Sequence, residues 1–338
     1  MKKLQQKHPY TWILGIDISK ETIDACLKRP TSEQSFHKKF LNNQPGFNRL
    51  KAWCKKMECS FKANTICCME HTGLYTRPLV NFLVSQQVDV WLENSFQIKR
   101  SQGLIRGKSD KVDAQRIVCY ADMHIQKAKL LDTSILSFEK IKDLQANRRR
   151  LVKAIQSLKT SAQELKKFDN HSGNLIDKIN SEAFQGLQSS LDQVDEQILE
   201  CINKDSELKE KYNLAISVKG VGKVLATSLI VYTHGFNRLL DSRKLACYCG
   251  VAPFVYESGT SIRGRTRVSK FANNELKKNL HMAALGCIQY NAELKDYYNR
   301  KITEGKNKMS IINALRNKLL HQIVAVIKRG TPYEVKSI

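Results

Sequence analysis

Residues 12–20 read WILGIDISK, an apolar run that ends in the carboxylate of Asp17. An apolar run of this length, bounded by polar residues, predicts a buried central strand. A carboxylate in such a strand is costly unless something cationic compensates its charge. We therefore expect Asp17 to meet a cation that other parts of the chain help to hold.

The sequence around this strand alternates between extended and helical patterns over the first third of the chain. The predicted order is three strands, a helix, a strand, a helix, a strand and a helix, which by analogy is typical of the ribonuclease H-like (RuvC-like) α/β fold. The strands are predicted at 15–18, 22–27, 35–41, 64–69 and 88–92, and the helices from 45 onward, at 76–87 and at 109–121.

Four acidic residues occupy special places in this pattern. Asp17 and Glu70 end two predicted strands, and Asp110 and Asp113 lie three apart on the first turn of a helix that Ser109 would cap. Like charges held this close repel unless a divalent cation lies between them, and oxygen ligands suit Mg²⁺ or Mn²⁺. Paired ions about 3.5–4 Å apart are the usual arrangement for phosphodiester displacement. The alternative is that these acids cap a strand, face solvent and complement a helix N-terminus.

The charge of the chain restricts its partners. Fifty-six Lys and Arg residues against 32 Asp and Glu give a net charge of +24, which favours a polyanionic partner and above all nucleic acid. A membrane partner is not favoured, because no apolar stretch reaches the roughly 20 residues that span a bilayer. The cysteines form no Cys-x-x-Cys pair, so a zinc ribbon is excluded.

The middle of the chain carries apolar residues at heptad spacing, first over 144–165 and again over 184–201. The polar segment 169–173 between them is predicted to be a turn. Two long helices with narrow apolar seams form either an antiparallel hairpin within one chain or a coiled coil between protomers. We favour an arm that reaches a second subunit, and a plain spacer remains the alternative.

A Gly-x-Gly turn opens the last third. Gly220 and Gly222 lie between an apolar residue and a helix, with Lys219 and Lys223 on either side. The pattern resembles a helix-hairpin-helix element, in which backbone N–H groups bind a DNA phosphate without reading sequence. An ordinary turn between helices is the alternative. A dinucleotide-binding fingerprint is excluded, because the third glycine is absent.

Ser258 lies in a small, glycine-rich segment that we predict to be a loop reaching residue 267, with arginines at 263, 265 and 267. Such a loop would present an exposed hydroxyl among phosphate-binding guanidinium groups. A serine hydroxyl is a poor nucleophile without a base or a metal, and no Ser-x-x-Lys or Gly-x-Ser-x-Gly motif accompanies this one. On composition alone, the residue is more typical of a turn.

Four ordered motifs resemble the DEDD insertion-sequence transposases of the IS110 family. They are GIDISK at 15–20, EHTGLY at 70–75, KSDKVDA at 108–114, and GVAP at 250–253 followed by Ser258 and Gly259. The resemblance covers nearly the whole chain. One departure is mild, a serine at 109 where threonine is common.

The resemblance implies a division into a RuvC-like catalytic domain at 1–128, a linker and coiled-coil arm at 129–210, and a mainly helical transposase domain at 211–338. It implies that Asp17, Glu70, Asp110 and Asp113 bind the metal and that Ser258 joins covalently to a DNA phosphate. It further implies double-stranded donor and target DNA and a structured bridge RNA that pairs with both. A dimer or tetramer would share composite active sites in a bacterial or archaeal cytosol, near the nucleoid.

Two rival functions remain at this point. A RuvC-like nuclease or junction resolvase would use the carboxylates but not the serine, and a non-catalytic scaffold would use neither. In every case the residues expected to contact nucleic acid are basic residues and turn glycines, namely Lys108, Lys111, Lys219, Gly220, Gly222, Lys223, Arg263, Arg265, Arg267 and Lys270.

Overall fold

The structure is a computed structural model that describes residues 10–62, 64–71, 73–101, 109–132, 136, 138–237, 239–258, 262–269 and 271–334. At residues 256, 258, 262, 263 and 265 the structure describes the backbone but not the side chain. The chain divides into two compact units between residues 135 and 136. The predicted boundary near residue 210 falls inside the second unit, and the division into arm and terminal domain stays a prediction.

The first unit is built on a mixed five-stranded sheet in the order β3-β2-β1-β4-β5. Strands β1, β2 and β3 form an antiparallel meander, whereas β4 and β5 run parallel to β1. Central β1 is apolar and almost wholly buried, while edge strand β3 exposes lysines, which discourages pairing with another chain. The strands are β1 Trp12–Ile18, β2 Thr22–Lys28, β3 Ser35–Leu41, β4 Thr65–Glu70 and β5 Asp89–Glu93.

Helices flank this sheet, as the sequence pattern predicts, with one short helix that the pattern missed. They are α1 Gln44–Lys56, α2 Arg77–Ser85, the short α3 Ser95–Arg100, and α4 Asp110–His124. The apolar stripe of α4 packs on one face of the sheet through Ala114, Ile117 and Val118, against Ile13 and Cys68. The first unit is therefore an α/β domain whose sheet supports α4.

The second unit is mostly helical and has its own core. Its helices are α5 Glu139–Phe168, α6 Asn170–Ile179, α7 Ser181–Asn203, α8 Ser206–Ser217, α9 Lys223–Thr233, α10 Ser242–Tyr248, α11 Asn274–Tyr290, α12 Ala292–Thr303 and α13 Lys308–Arg329. The core joins the base of α5 and α7 to the later helices through residues such as Ile141, Ile198 and Leu229. Nowhere in the described ranges is a helix both long enough and apolar enough to cross a membrane.

The predicted turn at 169–173 is wrong in its detail. Asp169 caps α6 instead, because its carboxylate accepts a hydrogen bond of 3.1 Å from the backbone N–H of Ser172. An acidic residue followed by small polar residues is typical of a helix N-cap as well as of a turn. The long helices α5 and α7 pack against each other, with α6 between them in the chain.

The predicted loop from 258 to 267 is also wrong. Residues Pro253–Ser258 and Ile262–Val268 form two antiparallel strands, β6 and β7, which make a hairpin. The sequence of β7, IRGRTRV, alternates in character along its length, and that period of two is the pattern of a strand. The arginine spacing that we interpreted as a loop is thus the spacing of a strand.

Candidate active site

Two of the four predicted carboxylates meet at one edge of the sheet. Strand β1 runs parallel to β4 with Ile16 opposite Met69, so the next residues along, Asp17 and Glu70, are opposite each other. The carboxyl ends of parallel neighbouring strands lie at the same sheet edge. Both residues are half-buried there.

The other two carboxylates lie on the first turn of α4. The side chain of Ser109 accepts a hydrogen bond of 3.4 Å from the backbone N–H of Val112, which confirms the predicted cap. Asp110 and Asp113 follow it, and negative charge on this turn is favourable to the helix dipole. The cap therefore fixes where α4 begins, and with it the positions of Asp110 and Asp113 on the first turn.

Gly15 allows α4 to lie close to β1. A Cβ atom at this position would lie 2.4 Å from Val118 Cγ2, 2.7 Å from the Val118 nitrogen and 3.0 Å from the Ala114 carbonyl oxygen. Two of these atoms belong to the helix backbone and cannot move aside alone. The absence of a side chain at Gly15 thus sets the distance between the strand that carries Asp17 and the helix that carries Asp113.

We expect Gly15→Ala to push α4 away from β1 and to destabilise the first unit by roughly 1–3 kcal/mol, the usual cost of an overpacked core. Thermal unfolding measures this loss. Gly186→Ala is the matched control, because nothing lies within 4 Å of a Cβ atom there and Gly186 lies in the second turn of α7. That change should leave stability equal or slightly higher. Equal melting temperatures for Gly15→Ala and Gly186→Ala would contradict this role for Gly15.

The charges of the four acids act on one another. The pKa of Asp17 is raised to about 6, first by burial and then by the negative charges of Asp113, Glu70 and Asp110. Those effects require the three other carboxylates to lie near Asp17. The structure therefore places the other three predicted carboxylates within electrostatic reach of Asp17.

Basic side chains compensate part of this charge, and one of them, Lys39, was not predicted from the sequence. Lys39 Nζ lies 3.4 Å from Asp110 Oδ2 and 3.4 Å from Asp24 Oδ2. Asp24 is almost fully buried and lies 2.8 Å from His37 Nε2. These carboxylates, Asp24 above all, raise the pKa of Lys39. On the helix itself, the Arg116 guanidinium donates to Asp113 at 2.7 Å.

A further acid beside the tetrad is engaged in hydrogen bonds. Glu93 lies opposite Glu70 in the β4–β5 pair. Its Oε2 accepts from Trp91 Nε1 at 3.2 Å and from the Tyr120 hydroxyl at 3.1 Å. Burial and this carboxylate raise the pKa of Tyr120 to about 12. We therefore interpret Glu93 as a structural residue that holds Tyr120 in place at this edge of the sheet.

The donor set fits a divalent metal by its chemistry. Four carboxylates supply hard oxygen ligands, and the raised pKa of Asp17 reflects a cluster of negative charge that a cation would relieve. Among the described residues, no group of three or more His, Cys, Asp or Glu side chains is already arranged as a metal site. Binding would therefore have to draw the carboxylates together.

The glycine turn lies between α8 and α9 as predicted. Gly220 has φ +94°, and a Cβ atom there would lie 2.0 Å from Cys287 Sγ, so both conformation and packing require glycine. Gly222 caps α9, and the flanking Lys219 and Lys223 are exposed to solvent. Packing against α11 explains Gly220 without any ligand.

The other predicted site residues are placed as follows. Ser258 ends β6 opposite Ile262, in the second unit, and its side chain lies outside the described residues. Lys111 and Arg267 are exposed. Arg263 and Arg265 fall on β7 with side chains that are not described, and Lys108 and Lys270 lie outside the described residues altogether.

Comparison with known proteins adds a family context. A model of DEDD transposases of the IS110 type matches residues 14–167, and a model described as "Transposase IS116/IS110/IS902 family" matches residues 212–299. The first match contains the whole carboxylate tetrad, and the second contains Ser258. Together the two matches cover more than two thirds of the chain.

Individual relatives agree with these models. A pilin gene-inverting protein of Moraxella bovis is 28% identical over 330 residues, which are 95% of this chain and 97% of that protein. A protein of the same name from Moraxella lacunata is also 28% identical over 330 residues. An uncharacterized 43.6 kDa protein of insertion element IS110 from Streptomyces coelicolor is 30% identical over 151 residues, 44% of this chain and 37% of that protein.

Proposed function

Because this chain belongs to the IS110 family of transposases, we propose that it cuts and rejoins DNA strands with its carboxylate tetrad and with Ser258 as nucleophile. It is a DNA transposase or recombinase, and DNA is its partner. The observation that carries the proposal is geometric: Asp17 and Glu70 end two neighbouring parallel strands, and Asp110 and Asp113 begin the helix that packs on β1 at Gly15. Sites of phosphodiester chemistry commonly gather carboxylates in this way.

The first unit would supply the metal-binding half of the active site. Asp17, Glu70, Asp110 and Asp113 would hold Mg²⁺ or Mn²⁺, which when bound would neutralise charge on a phosphate and favour ionisation of an attacking hydroxyl. The order of the mixed sheet and the position of the acids at its edge support a ribonuclease H-like fold for this unit. Lys39 and Arg116 would hold Asp110 and Asp113 in place.

The second unit would supply the nucleophile. Ser258 Oγ would form a bond to a DNA phosphorus while the bond from that phosphorus to one strand oxygen breaks, and the leaving oxygen would take up a proton to become a hydroxyl. A hydroxyl from another strand would then displace the serine. One ester bond replaces another at each step, so rejoining needs no external energy source.

A structured bridge RNA would choose the sites. In this proposal, base pairing between that RNA and the donor and target DNA reads sequence, and the protein reads shape and backbone. The net charge of +24 supports contact with both nucleic acids. Exposed Lys111, Lys219, Lys223 and Arg267 are candidates for phosphate contacts. Such substrates would place the protein with the nucleoid in a bacterial or archaeal cytosol.

The active site would be composite, with the tetrad from one protomer and Ser258 from another in a dimer or tetramer. The two sets belong to separate units of the chain. The far end of the arm also exposes apolar side chains that a second copy could cover, with Phe168 91%, Ile179 68% and Leu175 53% exposed. Contiguous exposed apolar groups are typical of association surfaces.

We expect the double change Phe168→Glu and Ile179→Glu to reduce the oligomer to a monomer, because charges would replace the apolar contact between arms. Light scattering coupled to size-exclusion chromatography measures the molecular mass of the full-length protein. The fold should survive, since both side chains are largely exposed. Tyr290→Glu, another exposed position (83%) outside the arm, is the control and should leave the mass unchanged. An oligomer that persists in the double variant would contradict this role for the arm.

The proposed function is tested by incubating protein, RNA transcribed from the DNA flanking the gene, and labelled DNA with Mg²⁺. We expect rejoined DNA and a protease-sensitive protein–DNA adduct, both lost on chelation. A RuvC-like nuclease or junction resolvase is the second candidate, because the tetrad alone could support hydrolysis; it would give cut DNA without an adduct. A scaffold would give neither, and Asp110→Ala would then change nothing.

A further inference from the structure

Lys39 lies in the same row of the sheet as Asp17. Asp17 is opposite Asp24 in the pairing of β1 with β2, and Asp24 is opposite Lys39 in the pairing of β2 with β3. Residues opposite each other on neighbouring strands project to the same face of a sheet. Lys39 therefore belongs to the face on which Asp17 lies, although it comes from the edge strand.

A buried carboxylate fixes the position of this lysine. Asp24 is only 4% exposed, and its Oδ2 lies 3.4 Å from Lys39 Nζ. Its other oxygen, Oδ1, lies 2.8 Å from His37 Nε2, so both oxygens of Asp24 are engaged. A buried carboxylate is costly unless cationic or donor groups compensate it. The ammonium of Lys39 is thus tied to the interior of the first unit.

The same ammonium keeps a donor for a ligand. A lysine Nζ carries three N–H donors. One faces Asp24 Oδ2 and one faces Asp110 Oδ2, each at 3.4 Å, and the third has no acceptor in the described part of the chain. The Lys39 side chain is 50% exposed, so solvent reaches it beside a carboxylate of the tetrad. A phosphate that approaches Asp110 therefore meets a positive charge already held in place.

The surface next to Lys39 is basic. A groove of about 600 Å³ along β3 and α1 is lined by Lys38, Lys39, Arg49 and Lys56, with Trp53 among its apolar residues. No acid is among the described residues that line this groove. Such a surface complements the phosphates of a nucleic-acid strand. Lys39 belongs both to this groove and, through Asp110, to the tetrad.

We propose that Lys39 is a further catalytic residue, which donates a hydrogen bond to an oxygen of the DNA phosphate that is cut. Negative charge on the phosphate oxygens grows as the attacking oxygen adds, and a fixed ammonium stabilises that charge without reorganising. Lys39 transfers no proton in this role. Asp24 is its positioning residue, since it contacts the lysine and not the phosphate. This role rests on the proposed function and adds a phosphate ligand to the tetrad.

Lys39→Met tests the role, because methionine keeps an unbranched apolar stem but loses the charge. In the assay with RNA and labelled DNA, cleavage at saturating Mg²⁺ should fall about a hundredfold. Binding of Mn²⁺ to the protein without nucleic acid, measured by electron paramagnetic resonance of the free ion, should be unchanged or tighter, because a cation beside Asp110 is removed. Lys62→Met is the control, since it removes an exposed lysine that precedes the amino end of β4, and it should cut like the parent.

Asp24→Asn tests the positioning role. It should slow cleavage about tenfold, and combining it with Lys39→Met should cause no further loss than Lys39→Met alone, because Asp24 acts through the lysine. Additive losses would contradict that role. Parent-like cleavage by Lys39→Met, or lost cleavage together with weaker Mn²⁺ binding, would overturn the proposal and leave Lys39 as a charge that only supports Asp110. A parent protein that neither cuts DNA nor binds Mn²⁺ would contradict the proposed function, and this role with it.

Discussion

Asp17→Asn is expected to abolish DNA cleavage while making the metal-free protein more stable at neutral pH. The asparagine keeps the size of the side chain but loses the negative charge that a divalent cation requires, so cleavage should fall on the order of a thousandfold. The same charge is unfavourable in the folded protein without metal, because Asp17 is half-buried beside Asp113, Glu70 and Asp110. Removing it should raise the melting temperature by roughly 2–4 °C.

The gain in stability should depend on pH in a defined direction. Since the folded-state pKa of Asp17 is raised from 3.8 to about 6, the folded protein binds a proton more tightly than the unfolded chain does. The wild-type carboxylate is therefore destabilising above about pH 6, and this penalty disappears as the pH falls toward the ordinary aspartate value. Melting curves of both proteins in a chelator, recorded between about pH 4 and pH 8, should differ at the upper end and converge at the lower.

Glu33→Gln is a suitable control, because it removes an exposed acid of the same unit. It should change neither cleavage nor the pH dependence of melting. If Asp17→Asn cut DNA as the parent does, the tetrad would have no catalytic role and the scaffold function would be favoured. If cleavage were lost together with a fall in melting temperature, the acid would be structural. The combination of lost activity with gained stability is typical of a functional site.

Much of the first unit could be predicted from the sequence because its signals are local. The apolar run that contains Asp17 predicts a buried strand, and Ser109 before a helical pattern predicts the cap that starts α4; both are confirmed. The short helix α3 was missed because six residues carry too little periodicity. The hairpin of β6 and β7 was missed because glycine and small residues suggested a loop more strongly than the alternation suggested a strand.

The parts of the site that the sequence did not predict depend on contacts between distant residues. Gly15 is one apolar position among many until α4 is seen to lie 2.4 Å from where its Cβ would be. Lys39 and Asp24 belong to neighbouring strands, and their pairing depends on the register of β2 with β3.

Ser258→Ala is expected to abolish strand transfer and the covalent protein–DNA adduct, each by a factor on the order of a thousand or more, as removal of a catalytic nucleophile usually does. The reason is chemical: without Oγ there is no atom to hold the phosphate between cutting and rejoining. Binding of DNA and RNA should be unchanged, because a single hydroxyl contributes little to a contact made mainly with phosphates. The measurements are gel assays for rejoined DNA and for the protease-sensitive adduct.

Thr266→Ala supplies the matched control, since it removes an exposed hydroxyl from β7 of the same hairpin and should leave transfer and adduct intact. The Ser258→Ala variant also distinguishes between the two candidate enzymes, the recombinase and the nuclease. A nuclease that used only the tetrad would cut DNA equally well with alanine at 258, and its products would carry no protein in either case. Because Asp17→Asn would disable both enzymes and Ser258→Ala only the recombinase, cutting that survives the second change but not the first would assign this chain to hydrolysis.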